Sequence, residues 1–320
     1  MSDHSEYARR LDSLLRQYLG ETIIEALADP DVEEIYVNPD MAVRLVSYAR
    51  GRLRADVVMR EADVTQFLRA GATVNDTEIG EARPSLAAVL PRSFGKCRLQ
   101  GFIPPLSEGP SIIIRKPPSR VIPLDEYVGQ GILTTKGKEL ICQAVAEHKN
   151  IMVAGPTASG KTTLCNAIID EIARQFPTER LLILEDTPEL RCVSSDHLRL
   201  RTTDTVTMRH LVKYSLRCTP NRIIIGEVRD GAAKDLLDAW ITGHPGGCGT
   251  VHGEDCERAL QRLAELAREG ASGVAQHRMV AQSVQYLILI KGHGAHRKVT
   301  DIVRIVGYDG SAFELDRSGT

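Results

Sequence analysis

Residues Gly155, Pro156, Thr157, Ala158, Ser159, Gly160, Lys161 and Thr162 satisfy the pattern G-x-x-x-x-G-K-[ST] without exception. A short apolar run, Ile151 to Ala154, precedes them and suits a buried strand. A segment with apolar residues at helical spacing follows, from Thr162 through Ile172. Strand, glycine-bounded loop and helix place successive backbone N–H groups around an anion at a positive helix end. This chemistry is triphosphate binding. Lys161 is expected to reach the β- and γ-phosphates, the Thr162 hydroxyl to help hold Mg²⁺, and Thr163 to complete the loop.

Such a loop needs acidic groups to hold the metal and to position an attacking water. Two apolar runs end in carboxylates: LLILEDTPEL, with Glu185, Asp186 and Glu189, and RIIIGEVRD, with Glu227 and Asp230. The usual aspartate after the second run is replaced by Gly226, so the role passes to Glu227. We expect Glu227 to polarise the water and to touch Mg²⁺ through one, and Glu185 to serve the metal's water shell. Between Thr242 and His252, TGHPGGCGTVH holds four glycines and a proline, the makings of a tight or mobile loop. Its His244 and His252 are candidates to sense the γ-phosphate by hydrogen bonding.

The elements that carry these groups are legible as alternation. After residue 130, apolar strands interleave with helices: helix KELICQAVAEH, strand NIMVA, the loop and its helix, strand RLLILED, a helix near Thr207 to Arg217, strand RIIIGE, helix KDLLDAWI and strand GTVH. That rhythm predicts an α/β domain with a mostly parallel sheet covered on both faces. YLILIKG and VTDIVRIVGY then return as hairpin strands. Upstream, Leu11, Leu14, Leu15, Tyr18 and Leu19 form an apolar helical stripe. Strands are expected at 33–38 and 43–48, a helix at 61–72, and further strands in SLAAVLP, CRLQGFIPP and SIIIRKPP, giving a smaller α+β domain. KPPSRVIPL, with three prolines in nine residues, reads as an extended linker. The expected division is 1–115, a linker at 116–130, and 131–320.

Composition narrows the field. The chain has 320 residues, 42% hydrophobic and 26% charged, with formal charge −2, enough for two cores and without a global nucleic-acid signature. Its seven cysteines are dispersed with no C-x-x-C pair, which argues against a structural zinc and fits a reducing cytosol. The charged start lacks a signal peptide's apolar core, and no run is long enough to span a bilayer. A cytoplasmic protein is expected.

The order of GPTASGKTT, ILEDTPEL, RCTPNRIIIGEVRD and TGHPGGCGTVH resembles the type II/type IV secretion ATPase superfamily, and CRLQGFIPPLSEGPSIIIRKPP extends the match upstream. The resemblance implies a RecA-like P-loop core that hydrolyses ATP with Mg²⁺. It implies ring hexamers in which N-terminal and RecA-like domains close on the nucleotide. It also implies N-terminal arginines that reach the γ-phosphate, at positions matching Arg98 and Arg115 here, and inner-membrane secretion-channel partners. Arg229 is a further candidate for a phosphate or inter-subunit contact. The missing tetracysteine pair and the lack of an AIR-type motif in AREGASGVAQHRMVAQ favour the conjugative branch over pilus extension, retraction or type II motors. A RecA-like helicase or translocase is the alternative of another class. It requires basic, aromatic-bearing loops, whereas aromatics are 4% of this chain and the basic segment LRLRTTDTVTMRHLVKYSLR reads as a solvated helix face.

Overall fold

The computed structural model describes residues 2–117, 120–203, 205–268 and 273–317. Its chain divides into two compact units, Met1–Ser119 and Arg120–Thr320.

The first unit runs α1 (Ser2–Ala28), β1 (Val32–Val37), β2 (Ala42–Ser47), β3 (Gly51–Val58), α2 (Glu61–Val74), β4 (Ser85–Val89), β5 (Arg98–Phe102) and β6 (Ser111–Arg115). Among the described residues its six strands form an antiparallel sheet in the order β3-β2-β1-β6-β5-β4. The two helices cover one face. Leu15, Leu19 and Ile23 of α1 and Val64, Phe67 and Leu68 of α2 pack with Ile35, Leu99, Ile112 and Ile114. The expected stripe on α1 is thus shifted: Leu14 is exposed, and the buried line continues from Leu15 through Leu19 to Ile23. Gly20, at φ 74°, kinks the helix. Strand β3 was not anticipated. As an edge strand open to solvent, it lacks the apolar alternation that marks a buried one.

The second unit runs α3 (Leu124–Gly129), α4 (Thr135–Ala146), β7 (Ile151–Gly155), α5 (Lys161–Gln175), β8 (Leu181–Glu185), β9 (His197–Arg201), α6 (Met208–Ser215), β10 (Arg222–Ile225), α7 (Ala232–Ile241), β11 (Cys248–His252), α8 (Cys256–Leu266), α9 (Gly273–Ser283), β12 (Tyr286–Lys291), β13 (Lys298–Tyr308) and β14 (Phe313–Asp316). Its eight described strands lie in the order β14-β13-β12-β7-β11-β10-β8-β9. From β12 to β9 they run parallel, and β13 and β14 close one edge as antiparallel strands. This is the α/β arrangement that the alternation predicts. One face is packed by α3, α4 and α5 and the other by α6 to α9.

Two segments depart from the expectation. Within 116–130, of which residues 118–119 lie outside the described residues, Leu124–Gly129 forms α3. Its Leu124 and Tyr127 are buried in the second unit's core, where two apolar anchors outweigh the extended preference of the prolines around them. The basic LRLR of the segment read as a helix face is instead strand β9, which pairs with β8. Its alternating half-buried leucines are strand spacing, which the flanking arginines obscured. Among the described residues no helix is long and apolar enough to cross a membrane.

The strands begin at a sheet end held by a buried ion pair. Arg222 is fully buried, donates to Glu179 at 2.5 Å and to the Gly246 carbonyl at 3.1 Å, and lies over the Phe176 ring. Removing one partner strands the other charge, at a cost of about 3–5 kcal/mol. Glu179→Ala is therefore expected to lower the urea midpoint of unfolding sharply. An unchanged midpoint would show that the pair does not hold this end of the sheet.

Candidate active site

Strand β7 delivers its C-terminal glycine into the phosphate loop, and α5 starts directly at Lys161. Gly155 is obligatory. A Cβ there would lie 2.2 Å from the Ile290 carbonyl oxygen and 2.6 Å from Ser159 Oγ. Gly160 is left-handed at φ 95°, and Ala158, which is not glycine, is left-handed at φ 60°. Pro156 and Thr157 form the outer rim, Thr162 and Thr163 are half-buried, and Lys161 is buried. The Lys161 ammonium donates to the carbonyls of Gly155 and Pro156, each at 2.9 Å. Ser159 Oγ is fully buried inside the loop with no hydrogen-bond partner. An unpartnered buried hydroxyl, a glycine-bounded turn and a lysine at the start of α5 fit a phosphate chain.

The carboxylates take three distinct positions. Glu185 is buried at the end of β8, and its Oε1 accepts the N–H groups of Glu189 (2.8 Å) and Leu190 (2.6 Å), with Arg199 3.6 Å from its other oxygen. It is the internal acceptor of the 186–190 turn. The reason is local: a glutamate at a strand end is within reach of the turn's unpaired amides. The turn so fixed brings Glu189 forward, and Thr162 Oγ1 donates to its Oε2 at 3.3 Å. Asn166 of α5 secures the same turn by accepting the Arg191 N–H at 2.7 Å and donating to the Glu189 carbonyl at 3.3 Å. Sequence reading missed Asn166. The available signal was its place five residues after Lys161, on a helix that must run beside the acidic turn.

Glu227 lies just past β10. Arg229 donates to its Oε2 through Nε (2.8 Å) and Nη2 (2.5 Å), while Arg229 Nη1 lies 3.8 Å from Asp186. The hydrogen bond to Glu227 raises the guanidinium's pKa above its ordinary value. Arg229, expected at a phosphate or a neighbouring subunit, here ties two carboxylates together. His252 ends β11 in register with Gly155 and points Nε2 to within 2.7 Å of Glu227 Oε1. Burial, and then the nearby Lys161 charge, push its imidazole below the ordinary value, which favours the neutral ring. An open cavity of about 210 Å³ beside them is lined by Glu227, Val228, Arg229, His252 and Arg262.

His244 is not part of this cluster. It precedes β11 and its Nδ1 meets the Pro220 carbonyl at 3.1 Å, at the end where the parallel strands start. A parallel strand separates its two ends by its full length, so the two histidines of one glycine-rich segment lie at opposite ends of the sheet. In the first unit, Arg98 and Arg115 are directly opposite each other on β5 and β6, with Glu34 opposite Arg115 on β1. They lie on the face away from α1 and α2, and Arg115 is exposed.

The task assigned to Glu185 makes a pH-dependent prediction. Burial raises its carboxyl above the ordinary value of 4.5. Its stabilising contribution is therefore fully present below the unfolded value and is lost as pH rises through the raised one. Glu185→Gln keeps the acceptor and drops the charge. It is expected to unfold at equal or higher urea than the native chain at pH 7, with the gap closing below pH 4.5. Glu185→Ala strands two amides, at about 1–3 kcal/mol each. Equal losses for both variants would contradict the acceptor role.

Comparisons with known proteins place the chain in a family. The family model for type II/IV secretion system protein matches residues 11–303. The chain is 39% identical over 307 residues to the probable conjugal transfer protein TrbB of Sinorhizobium fredii, covering 96% of this chain and 93% of that protein. It is 30% identical over 335 residues to protein VirB11 of Agrobacterium fabrum, covering 91% and 94%. Among solved structures, the ATPase DotB of Yersinia pseudotuberculosis superposes with a TM-score of 0.62 at 20% identity, over 84% of this chain and 73% of that one, which speaks to the fold alone. With the phosphate loop, the acidic turn and the histidine strand all inside the matched span, the chain belongs to the type II/IV secretion system protein family.

Proposed function

We propose that this protein is the ATP-hydrolysing motor of a conjugative type IV secretion system, a cytoplasmic ring, six-membered by family resemblance, that works against the inner face of the cytoplasmic membrane with channel components as partners. One observation carries the reading. Lys161, the Thr162–Glu189 pair and the His252–Glu227 pair converge where parallel strands end around an anion-shaped loop. Ligands of open parallel sheets sit beyond the carboxyl ends of the strands. The conjugative assignment is supported by the TrbB relative, aligned over nearly the whole chain.

The residues divide the work as follows. The loop's N–H groups and Ser159 Oγ take the phosphate oxygens, and Lys161 exchanges two carbonyls for the β- and γ-phosphates. Magnesium, held by Thr162 and, through water, by Glu189 and Glu227, would offset phosphate charge. Glu227 orients the attacking water and takes its proton, so Arg229 must loosen its grip as the site fills. Neutral His252 steadies Glu227 from the other side without adding a cation.

Arg98 and Arg115 face each other across two strands, and like charges so placed repel. Glu34 beside Arg115 already puts one carboxylate on that face, and the two neighbouring guanidiniums suit bidentate contact with phosphate oxygens, which supports a role in gripping the triphosphate as the two units close. Closure on ATP and reopening after hydrolysis would be the working stroke.

Phosphate-release assays test the assignments. Lys161→Ala is expected to abolish turnover. Glu227→Gln should lose about 10²–10⁴-fold in kcat while still binding ATP, the range removed with a general base. Arg115→Ala should slow turnover with an unchanged unfolding midpoint; full activity would remove the closure contact. Light scattering with and without a non-hydrolysable ATP analogue checks the ring, and a monomer in both conditions contradicts it.

A further inference from the structure

The loop between β12 and β13 is short, basic and glycine-rich, reading Lys291, Gly292, His293, Gly294, Ala295, His296, Arg297, Lys298. Because β12 pairs in parallel with β7, Leu289 opposite Ala154, this loop emerges at the same sheet end as the phosphate loop. Gly292, at φ 85°, folds it back so tightly that a Cβ there would lie 2.2 Å from the His296 carbonyl oxygen. The fold-back aims His293 and Arg297 at the phosphate loop. His293 Nδ1 lies 3.3 Å from the Ala158 carbonyl oxygen, and Arg297 Nη2 donates to the same atom at 3.4 Å. The Arg297 side chain also lies along Gly160, with Cδ 3.3 Å and Nε 3.4 Å from the place a Cβ would take.

The gripped atom is the informative one. Ala158 sits at φ 60°, a conformation that L side chains rarely adopt. A loop that turns its N–H groups toward an anion must turn carbonyls the other way. The outward carbonyl of its strained residue is the one that two basic side chains hold.

We propose that His293 and Arg297 form a clamp outside the phosphate loop, capturing the Ala158 carbonyl so that the left-handed turn, and with it the inward N–H array, is set before a triphosphate arrives. They are positioning residues that act through the loop. The proposal rests on reading Gly155 to Thr162 as the triphosphate site.

Its test is a double-mutant cycle in the full chain with Arg297→Ala, Ala158→Gly and both together. Glycine adopts the left-handed turn without the steric cost, so it should make the clamp dispensable. Arg297→Ala is expected to weaken Mg-ATP binding by about 3- to 10-fold, the size that one or two partly exposed hydrogen bonds supply, with kcat little changed. In the Ala158→Gly background the same substitution should cost less than about twofold, the strain it opposed being absent. A loss of equal size in both backgrounds, or a fall in kcat with unaltered binding, overturns the clamp. Hydrogen exchange of the nucleotide-free protein reads it independently: Arg297→Ala should speed exchange of the 157–161 amides and leave those of β8 unchanged. Unaltered exchange in the loop also overturns it. If exchange responds but even the native chain binds no Mg-ATP, the clamp stands and the triphosphate reading falls.

Discussion

A peptide group that turns its N–H toward a bound anion turns its carbonyl away, and each displaced carbonyl needs a donor of its own. Much of the second unit can be understood as supplying those donors. Lys161 covers the carbonyls of Gly155 and Pro156, the Leu164 amide takes that of Gly160, and the Gly253 amide reaches Gly155 from beyond β11. His293 and Arg297 take Ala158. The donors come from the loop's own helix and from both flanking strands, β11 and β12. The geometry that grips phosphate is thus a property of three adjacent strands rather than of eight residues.

The same economy explains why three glutamates near the phosphate loop do three things. Glu185 looks inward and folds a turn, Glu189 is what that turn presents to Thr162, and Glu227 is held between a guanidinium and a neutral imidazole. Burial decides among them. A carboxylate out of water is most useful to nearby amides, and one at the rim is most useful to a substrate.

What could be read in advance follows from how local each signal was. The phosphate loop, the alternation after residue 130 and the carboxylates at strand ends are short-range patterns, and the structure has them as expected. The partners of Glu185, His244 and Arg229 were not legible locally. Glu185 is separated from its alternative only by which way a side chain turns at a strand end. His244 and His252 are eight residues apart in one motif, yet the strand between them carries them to different ends of the sheet. The clamp residues lie well over a hundred positions from Ala158 and join it only because β12 sits beside β7. Edge elements such as β3 and β9 lacked a strong pattern because half of each faces water.

That exposure of β3 has its own consequence. It ends the first sheet with one side of its backbone unpaired, and Arg52 and Arg54 project from it. Unguarded, such a border is a template on which a second chain can crystallise strand by strand, a hazard for any protein that gathers many copies of itself in one place. Guanidinium groups at alternate positions oppose a parallel, in-register copy, which would lay positive charge on positive charge.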